Sequence, residues 1–185
     1  LELKRNEEAL ESYDRVLAAR QDFAGVWNNR GTALRGLHRL PEALASFRQA
    51  AVLAPGHFNA LTNAAVVLWD MKRLPEALAA AERALGVQPG FAEAIYAKAN
   101  VLRDLSRMDE ALDAYEAVLK SNPAHPHALN GAAQVAPVLQ RARLREQGGL
   151  PGRPLGGGAT QVNAVRRGGR EGAGISEEPR LALAQ

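Results

Sequence analysis

The hydrophobic and polar residues of this chain follow a pattern that repeats every 34 positions. The hexapeptide RLPEAL stands at residues 39–44 and again at 73–78, and related stretches stand at 5–10 (RNEEAL) and 107–112 (RMDEAL). When Ala24 is taken as position 1, three full units follow one another, 24–57, 58–91 and 92–125. A fixed period of this length indicates a solenoid of repeated units.

Each unit carries two helical stripes. Apolar or small residues recur at positions 4, 8 and 11, and again at 20, 24 and 27, which is the spacing of one face of an α-helix. Small residues at positions 8 and 20 predict a close approach of the two helices. RLPEAL is then the start of the second helix, with Pro41 and Pro75 at the first helical position and Glu42 and Glu76 near its positive end. A proline at position 32, Pro55 in the first unit, closes each unit.

The repeated positions resemble the signature of the tetratricopeptide repeat family. The residues of the first unit that match it are Trp27, Gly31, Leu34, Ala43, Phe47, Ala50 and Pro55, and Arg30 departs from it at position 7. The resemblance implies an all-α fold, a right-handed superhelical solenoid of antiparallel helix pairs whose first helices line a concave groove. Members of the family are usually scaffolds that bind peptides or extended protein segments.

The pattern divides the chain into two parts. Residues 1–137 form the predicted repeat array, in which 1–23 is a partial unit holding a second helix and 126–137 is a partial unit whose first helix ends near residue 136. Residues 138–185 are rich in Gly, Arg and Pro, so they lack the apolar surface to fold and we expect a disordered tail. The abrupt change suggests out-of-frame translation after about residue 136. The start at Leu1, inside the pattern, suggests a fragment.

The charge is concentrated in the predicted tail. Residues 1–137 hold 15 Lys and Arg against 16 Asp and Glu, a balance of −1, whereas residues 138–185 hold 8 Arg against 4 Glu, a balance of +4. A basic segment attracts nucleic acid. Nucleic-acid binding is therefore expected, if at all, only from the tail.

The residues for catalysis are few. The chain has no cysteine, which excludes disulfides and thiolate sites. Its histidines lie in predicted turns or at a unit boundary without suitably spaced carboxylates, and the Gly-rich stretch 152–158 lacks the Lys-Ser/Thr of a phosphate loop. We therefore expect neither an enzyme nor a bound cofactor or metal. Because no apolar leader or long apolar run is present, we expect a cytoplasmic protein without a membrane span.

The candidate binding residues are polar side chains on the first helices, where packing does not require them. A side-chain amide both donates and accepts, so Asn29 and Asn63, at position 6 of adjacent units, could hold an extended peptide backbone. The alternative is that they are solvated surface residues without a binding role. The predicted peptide-binding groove consists of Asn28, Asn29, Thr32, Asn59, Thr62, Asn63, Tyr96, Asn100, Arg103 and Asn130.

Two functions compete. The preferred one is a non-catalytic scaffold that binds a protein or an extended peptide. The alternative is a substrate-recruiting fragment of a larger glycosyltransferase, because the asparagines at position 6 are similar to those of the repeat arrays of O-linked N-acetylglucosamine transferases, although Ala97 interrupts the column. The family's carboxylate clamp requires lysines that are missing here, which disfavours a chaperone-tail receptor. Incompletely covered helices at the two ends also predict self-association.

Overall fold

The structure is a computed structural model that describes residues 2–146, all of them in or between α-helices. Within these residues there are eight helices, and successive helices pack antiparallel in pairs. Their bounds are α1 Glu2–Ala19, α2 Ala24–Gly36, α3 Leu40–Leu53, α4 Phe58–Asp70, α5 Leu74–Val87, α6 Ala92–Asp104, α7 Met108–Ser121 and α8 Pro126–Glu146. The all-α fold of stacked helix pairs is confirmed.

The core follows the columns of the sequence repeat. Helix α2 packs on α3, α4 on α5 and α6 on α7, and each second helix also packs on the first helix of the next pair. Three positions of each second helix, 20, 24 and 27, are completely buried in all three pairs. These residues are Ala43, Phe47, Ala50, Ala77, Ala81, Ala84, Ala111, Tyr115 and Val118.

The turn inside each pair has the same unusual backbone. His38, Lys72 and Ser106, all at position 15, have positive φ angles of 58°, 60° and 62°. The amide that follows each of them donates to a carbonyl five residues earlier, as in the 2.9 Å bond from Arg39 N to Leu34 O. This is a Schellman turn, in which glycine is the usual residue. The pattern of the sequence did not reveal these three left-handed residues.

The repeated hexapeptide has a second role at the start of the second helices. Helix α3 begins at Leu40, so Pro41 is its second residue and not its first as predicted; an amide hydrogen is not needed there either. Arg39, just before the helix, donates through Nε and Nη2 to both carboxylate oxygens of Glu42 at 2.7 Å. This hydrogen-bonded pair lowers the pKa of Glu42. The arginine and glutamate of RLPEAL therefore act together.

Helix α8 extends beyond its predicted end. It continues through Pro137 to Glu146, so the predicted helix end near residue 136 is wrong, whereas the division of the chain into an array and a tail stays a prediction. Proline removes one intrahelical hydrogen bond, but the apolar face of α8 extends beyond it: Val135 and Leu139 are both buried in the cluster that includes α7. Arg143 adds a 2.9 Å contact to Asp109. The predictions for residues 147–185, including disorder, fall outside the described residues.

Candidate functional site

The first helices of the pairs form one continuous layer. Helix α2 contacts α4, α4 contacts α6, and α6 contacts α8, whereas α1, α3, α5 and α7 pack on first helices and not on one another within residues 2–146. Because, within these residues, the first helices contact one another and the second helices do not, the stack of helix pairs curves, with the first helices on its inner side. We call the exposed surface of α2, α4, α6 and α8 the concave face.

Three asparagines form a chain of side-chain amides on the concave face. Asn63 Nδ2 donates to Asn28 Oδ1 at 3.0 Å, and Asn28 Nδ2 lies 3.4 Å from Asn29 Oδ1. Asn29 is exposed, and the other two are half-buried. The structure thus brings three of the six predicted asparagines together. The partner of Asn63 in the adjacent unit, however, is Asn28 at position 5 and not Asn29 at position 6.

Two other predicted residues lie on the surface beside this chain. Thr32 is exposed, and its hydroxyl donates to the backbone carbonyl of Asn28 at 3.1 Å. Asn59 is exposed in the first turn of α4. Both side chains are accessible to a ligand on the concave face.

Two predicted site residues are buried and must be removed from the candidate site. Thr62 is 4% exposed, and its hydroxyl donates to the carbonyl of Phe58 at 2.9 Å within its own helix. Asn100 is also 4% exposed and accepts a 2.7 Å hydrogen bond from the hydroxyl of Tyr115. Burial in the core raises the pKa of Tyr115, so this hydroxyl stays a donor. These two polar groups stabilise helix packing instead of facing a ligand.

Aromatic side chains lie together in the C-terminal half of the concave face. Tyr96 lies with its ring 5.4 Å from His125 and 6.1 Å from His127, measured between ring centroids. His125 also accepts a hydrogen bond through Nδ1 from the amide of Ala128 and so caps α8. The two histidines thus have a packing role that sequence reasoning missed.

A second polar chain joins α6 to α8. Arg103 Nη1 donates to Gln134 Oε1 at 3.3 Å, and Gln134 Nε2 donates to Asn130 Oδ1 at 3.2 Å. The predicted site residues Arg103 and Asn130 are therefore linked through Gln134, which the sequence analysis had not selected. Asn130 and Gln134 are exposed, and Arg103 is half-buried.

An indole and a carboxylate join α4 to α6. Trp69 Nε1 donates to Asp104 Oδ2 at 2.8 Å, and Lys72 Nζ lies 3.3 Å from the same oxygen. Burial alone raises the pKa of Asp104, but hydrogen bonds from Trp69, Arg103 and Lys72 outweigh it, and the pKa is lowered. Asp104 is therefore a stable anion at neutral pH, and it ties two neighbouring repeats together.

Metal-binding clusters and membrane-spanning helices are absent from the described residues. No group of three or more His, Asp or Glu in the described part of the chain is arranged to hold a metal ion. None of the helices α1 to α8 has the length and apolar character needed to cross a bilayer.

Comparison with known proteins agrees with the geometry of the helices. The sequence profile of the tetratricopeptide repeat family matches residues 1–58, 28–94, 62–126 and 96–142. A comparison with curated proteins found no match.

Several solved structures resemble this chain in fold. The first tetratricopeptide domain of Spaghetti, solved with the HSP90 peptide SRMEEVD, is 20% identical, covers 63% of this chain and 93% of its own, and has a TM-score of 0.62. MamA is 19% identical, with 78% and 80% covered and a TM-score of 0.66. YrrB, described as having an unusual peptide-binding site, is 23% identical, with 74% and 71% covered and a TM-score of 0.62. Identities this low establish the fold alone.

Proposed function

Because the chain belongs to the tetratricopeptide repeat family and its concave face carries a connected row of amides, we propose that it is a non-catalytic scaffold that binds an extended segment of a partner protein. The single observation that carries this proposal is the chain formed by Asn63, Asn28 and Asn29.

The amide chain leaves hydrogen-bonding groups at both of its ends. Once Asn63 donates to Asn28, its Oδ1 is still available as an acceptor, and the Nδ2 of Asn29 is available as a donor. An extended peptide presents one donor and one acceptor per residue, so two oriented amides can pair with its backbone largely irrespective of side chains. Asn28 would orient the other two. This assigns Asn28 a positioning role and makes Asn29 and Asn63 the contact residues.

The rest of the concave face supports the same kind of ligand. Tyr96 and His127 offer aromatic surface, while Thr32, Asn59 and Asn130 offer exposed polar groups. Arg103 adds a guanidinium group that pairs with Asp104 and donates a hydrogen bond to Gln134. Among the solved structures of the same fold, the Spaghetti domain is bound to a peptide and YrrB has an unusual peptide-binding site, which is compatible with this use of the surface.

Selection from a random peptide library tests the proposal. Peptides selected on the parent chain are expected to bind the Asn29→Ala/Asn63→Ala variant about tenfold more weakly, because each lost hydrogen bond is worth about 1 kcal/mol and some are replaced by water. Methylation of the backbone nitrogens of the peptide should weaken binding at least as much. Isothermal calorimetry of one selected peptide measures both effects.

A matched control keeps this experiment specific. Gln21 and Gln88 are exposed amide side chains in the turns after α1 and α5, away from the asparagine chain. The Gln21→Ala/Gln88→Ala variant should bind the peptide as the parent does. Equal affinities of all three proteins would contradict the proposed role of the asparagines.

The glycosyltransferase alternative has narrower support. It depends on Asn29 and Asn63, and in the structure Asn63 bonds to Asn28 instead. The family match is to tetratricopeptide repeats in general. The alternative stays a prediction, which a catalytic domain encoded downstream in the gene would favour.

We also propose self-association as a second mode of interaction. Leu129 of α8 is 47% exposed, although Leu61, at the same position in α4, is only 3% exposed. We therefore expect the sedimentation coefficient to rise with concentration. Leu129→Glu should reduce that rise, because association would then bury a charge at position 129 and require its desolvation. A parent chain that is monomeric at all concentrations would contradict this expectation.

A further inference from the structure

A second concavity lies between the second helices α3 and α5, with α4 as its floor. Its volume is about 420 Å³. The floor consists of Leu61, Ala64 and Leu68, and Ala51 and Ala80 stand in the two walls. We call this feature the outer groove, because it is lined by the layer of helices that does not form the concave face. Its size is within the range of about 300–1,000 Å³ typical of ligand sites.

The outer groove exists because a side chain that spans the corresponding space in the first and third pairs is missing here. We call such a spanning side chain at position 7 a strut. At position 7 of the first pair, Arg30 spans the corresponding space: its Nε lies 2.7 Å from Asp14 Oδ1, and its Nη1 donates to Ser46 Oγ at 2.7 Å. At position 7 of the third pair, Lys98 lies 3.2 Å from Glu82.

In the second pair, position 7 is Ala64, which has no side chain long enough to span the space. The residue of the preceding helix that would receive a basic strut is Arg48, itself a cation, and Ala51 stands where α1 has Leu17. These residues thus leave an unfilled space at this junction, whereas side chains fill the corresponding space at the two neighbouring junctions.

The rim of the outer groove is positively charged. Arg48 crosses it and lies 3.4 Å from Glu76, but Glu76 is already held by Arg73 at 2.6 Å. Arg83 also lines the groove and is exposed, and the ion pairs among the described residues do not include it. Two cations, Arg48 and Arg83, therefore line the groove, and its one acidic lining residue, Glu76, is already paired with Arg73.

The wall of the groove also exposes apolar surface. Val52 on α3 is 72% exposed, the highest value among the large apolar side chains of the described residues. Because Val52 and the groove expose apolar surface to water, an apolar side chain that covers them lowers the free energy of the system. The charge on the rim indicates what should stand beside that side chain.

We infer that the outer groove is a second protein-binding site, which takes a segment presenting a large aliphatic side chain next to a carboxylate. The aliphatic group occupies the space above Ala64 that Arg30 and Lys98 fill in the other pairs. The carboxylate pairs with Arg83 and with the part of Arg48 that Glu76 does not neutralise. The site is separate from the asparagine chain of the concave face, so a scaffold of this kind would hold two segments at once.

Two capped tetrapeptides probe this site, one with the order Glu-Leu-Leu-Glu and one with Lys-Leu-Leu-Lys. With alanine methyl groups labelled for nuclear magnetic resonance, millimolar acidic peptide is expected to shift the methyl signals of Ala51, Ala64, Ala79 and Ala80. The basic peptide should shift them much less, and Arg83→Gln should weaken the acidic peptide roughly two- to fivefold, the range of a solvent-exposed ion pair.

The decisive variant is Ala64→Lys/Arg48→Glu, which copies the strut of Lys98 and Glu82 into the empty junction. Because this arrangement exists one repeat later in the same chain, we expect the variant to fold, which its melting curve verifies. It should no longer respond to the acidic peptide, whereas Asn29→Ala/Asn63→Ala should respond as the parent does. No shifts at millimolar peptide, equal binding of the two peptides, or shifts that persist in the filled variant would each overturn the inference.

Discussion

Replacement of Phe47 by alanine is expected to lower the free energy of unfolding by about 3–5 kcal/mol, the range for loss of a buried aromatic side chain. Phe47 is completely buried, and its ring lies directly against Gly31 of the paired helix. A methyl group placed on Gly31 would come within 2.6 Å of the ring. The ring therefore fills the space that the missing side chain of Gly31 leaves open.

The second pair provides the matched comparison. There the same two positions hold Ala65 and Ala81, both completely buried. Two alanines therefore also pack well where the two helices of a pair cross. Gly31→Ala alone should cost about 1–3 kcal/mol through overpacking, but it should stabilise the Phe47→Ala variant by about 1 kcal/mol because alanine is the better helix former. Urea denaturation of the two single variants and the double variant measures this coupling. Additive effects would show that the two residues do not share one space.

Tyr115→Phe is the second substitution with a large expected effect, a loss of about 1–3 kcal/mol of unfolding free energy. The hydroxyl of Tyr115 donates to Asn100 Oδ1 at 2.7 Å, and both residues are buried. Phenylalanine keeps the ring but leaves the carbonyl oxygen of Asn100 without its donor. The cost comes from the buried polar group that loses its partner and not from lost apolar area.

Tyr13→Phe is the control for this substitution. Tyr13 stands at the same position of α1, but it is half-buried, and its hydroxyl makes no hydrogen bond to the other residues that the structure describes. The control should change the free energy of unfolding by less than about 0.5 kcal/mol, as is usual for surface changes. Equal losses in both variants would contradict the importance of the bond between Tyr115 and Asn100.

The sequence predicted the helices well because two independent signals agree at every unit. The period of 3.6 residues marks the buried face, as at Ala43 and Ala77, and prolines mark the boundaries. Pro137 misled the prediction since the rule for proline considers one helix by itself. The packing of Val135 and Leu139 against the neighbouring helix keeps α8 helical.

The candidate site was harder to predict, because contacts between repeats do not follow the period. Residues were compared at a spacing of 34, but Asn28 bonds to Asn63 and Trp69 bonds to Asp104, both 35 residues apart. The twist between successive pairs brings one position of a unit against the next position of the following unit. A search at a spacing of 35 would have found both pairs.

Burial was the other limit of the sequence-based prediction. Thr62 and Asn100 are polar and stand at positions 5 and 9 of their first helices, where polar residues of other units are exposed or half-buried. Their environment depends on which side chains face them across the pair, as Tyr115 faces Asn100. Residue type and spacing alone do not contain that information.

The most direct test of peptide binding on the concave face is to locate a bound peptide by nuclear magnetic resonance. The side-chain amide signals of Asn29 and Asn63 should shift on addition of a selected peptide, together with backbone signals of α2, α4 and α6. Signals of Gln21 and Gln88 should stay unchanged. If the peptide instead shifts signals of α3 and α5 and leaves the two asparagines unaffected, the concave face is not its binding site and the central proposal is wrong.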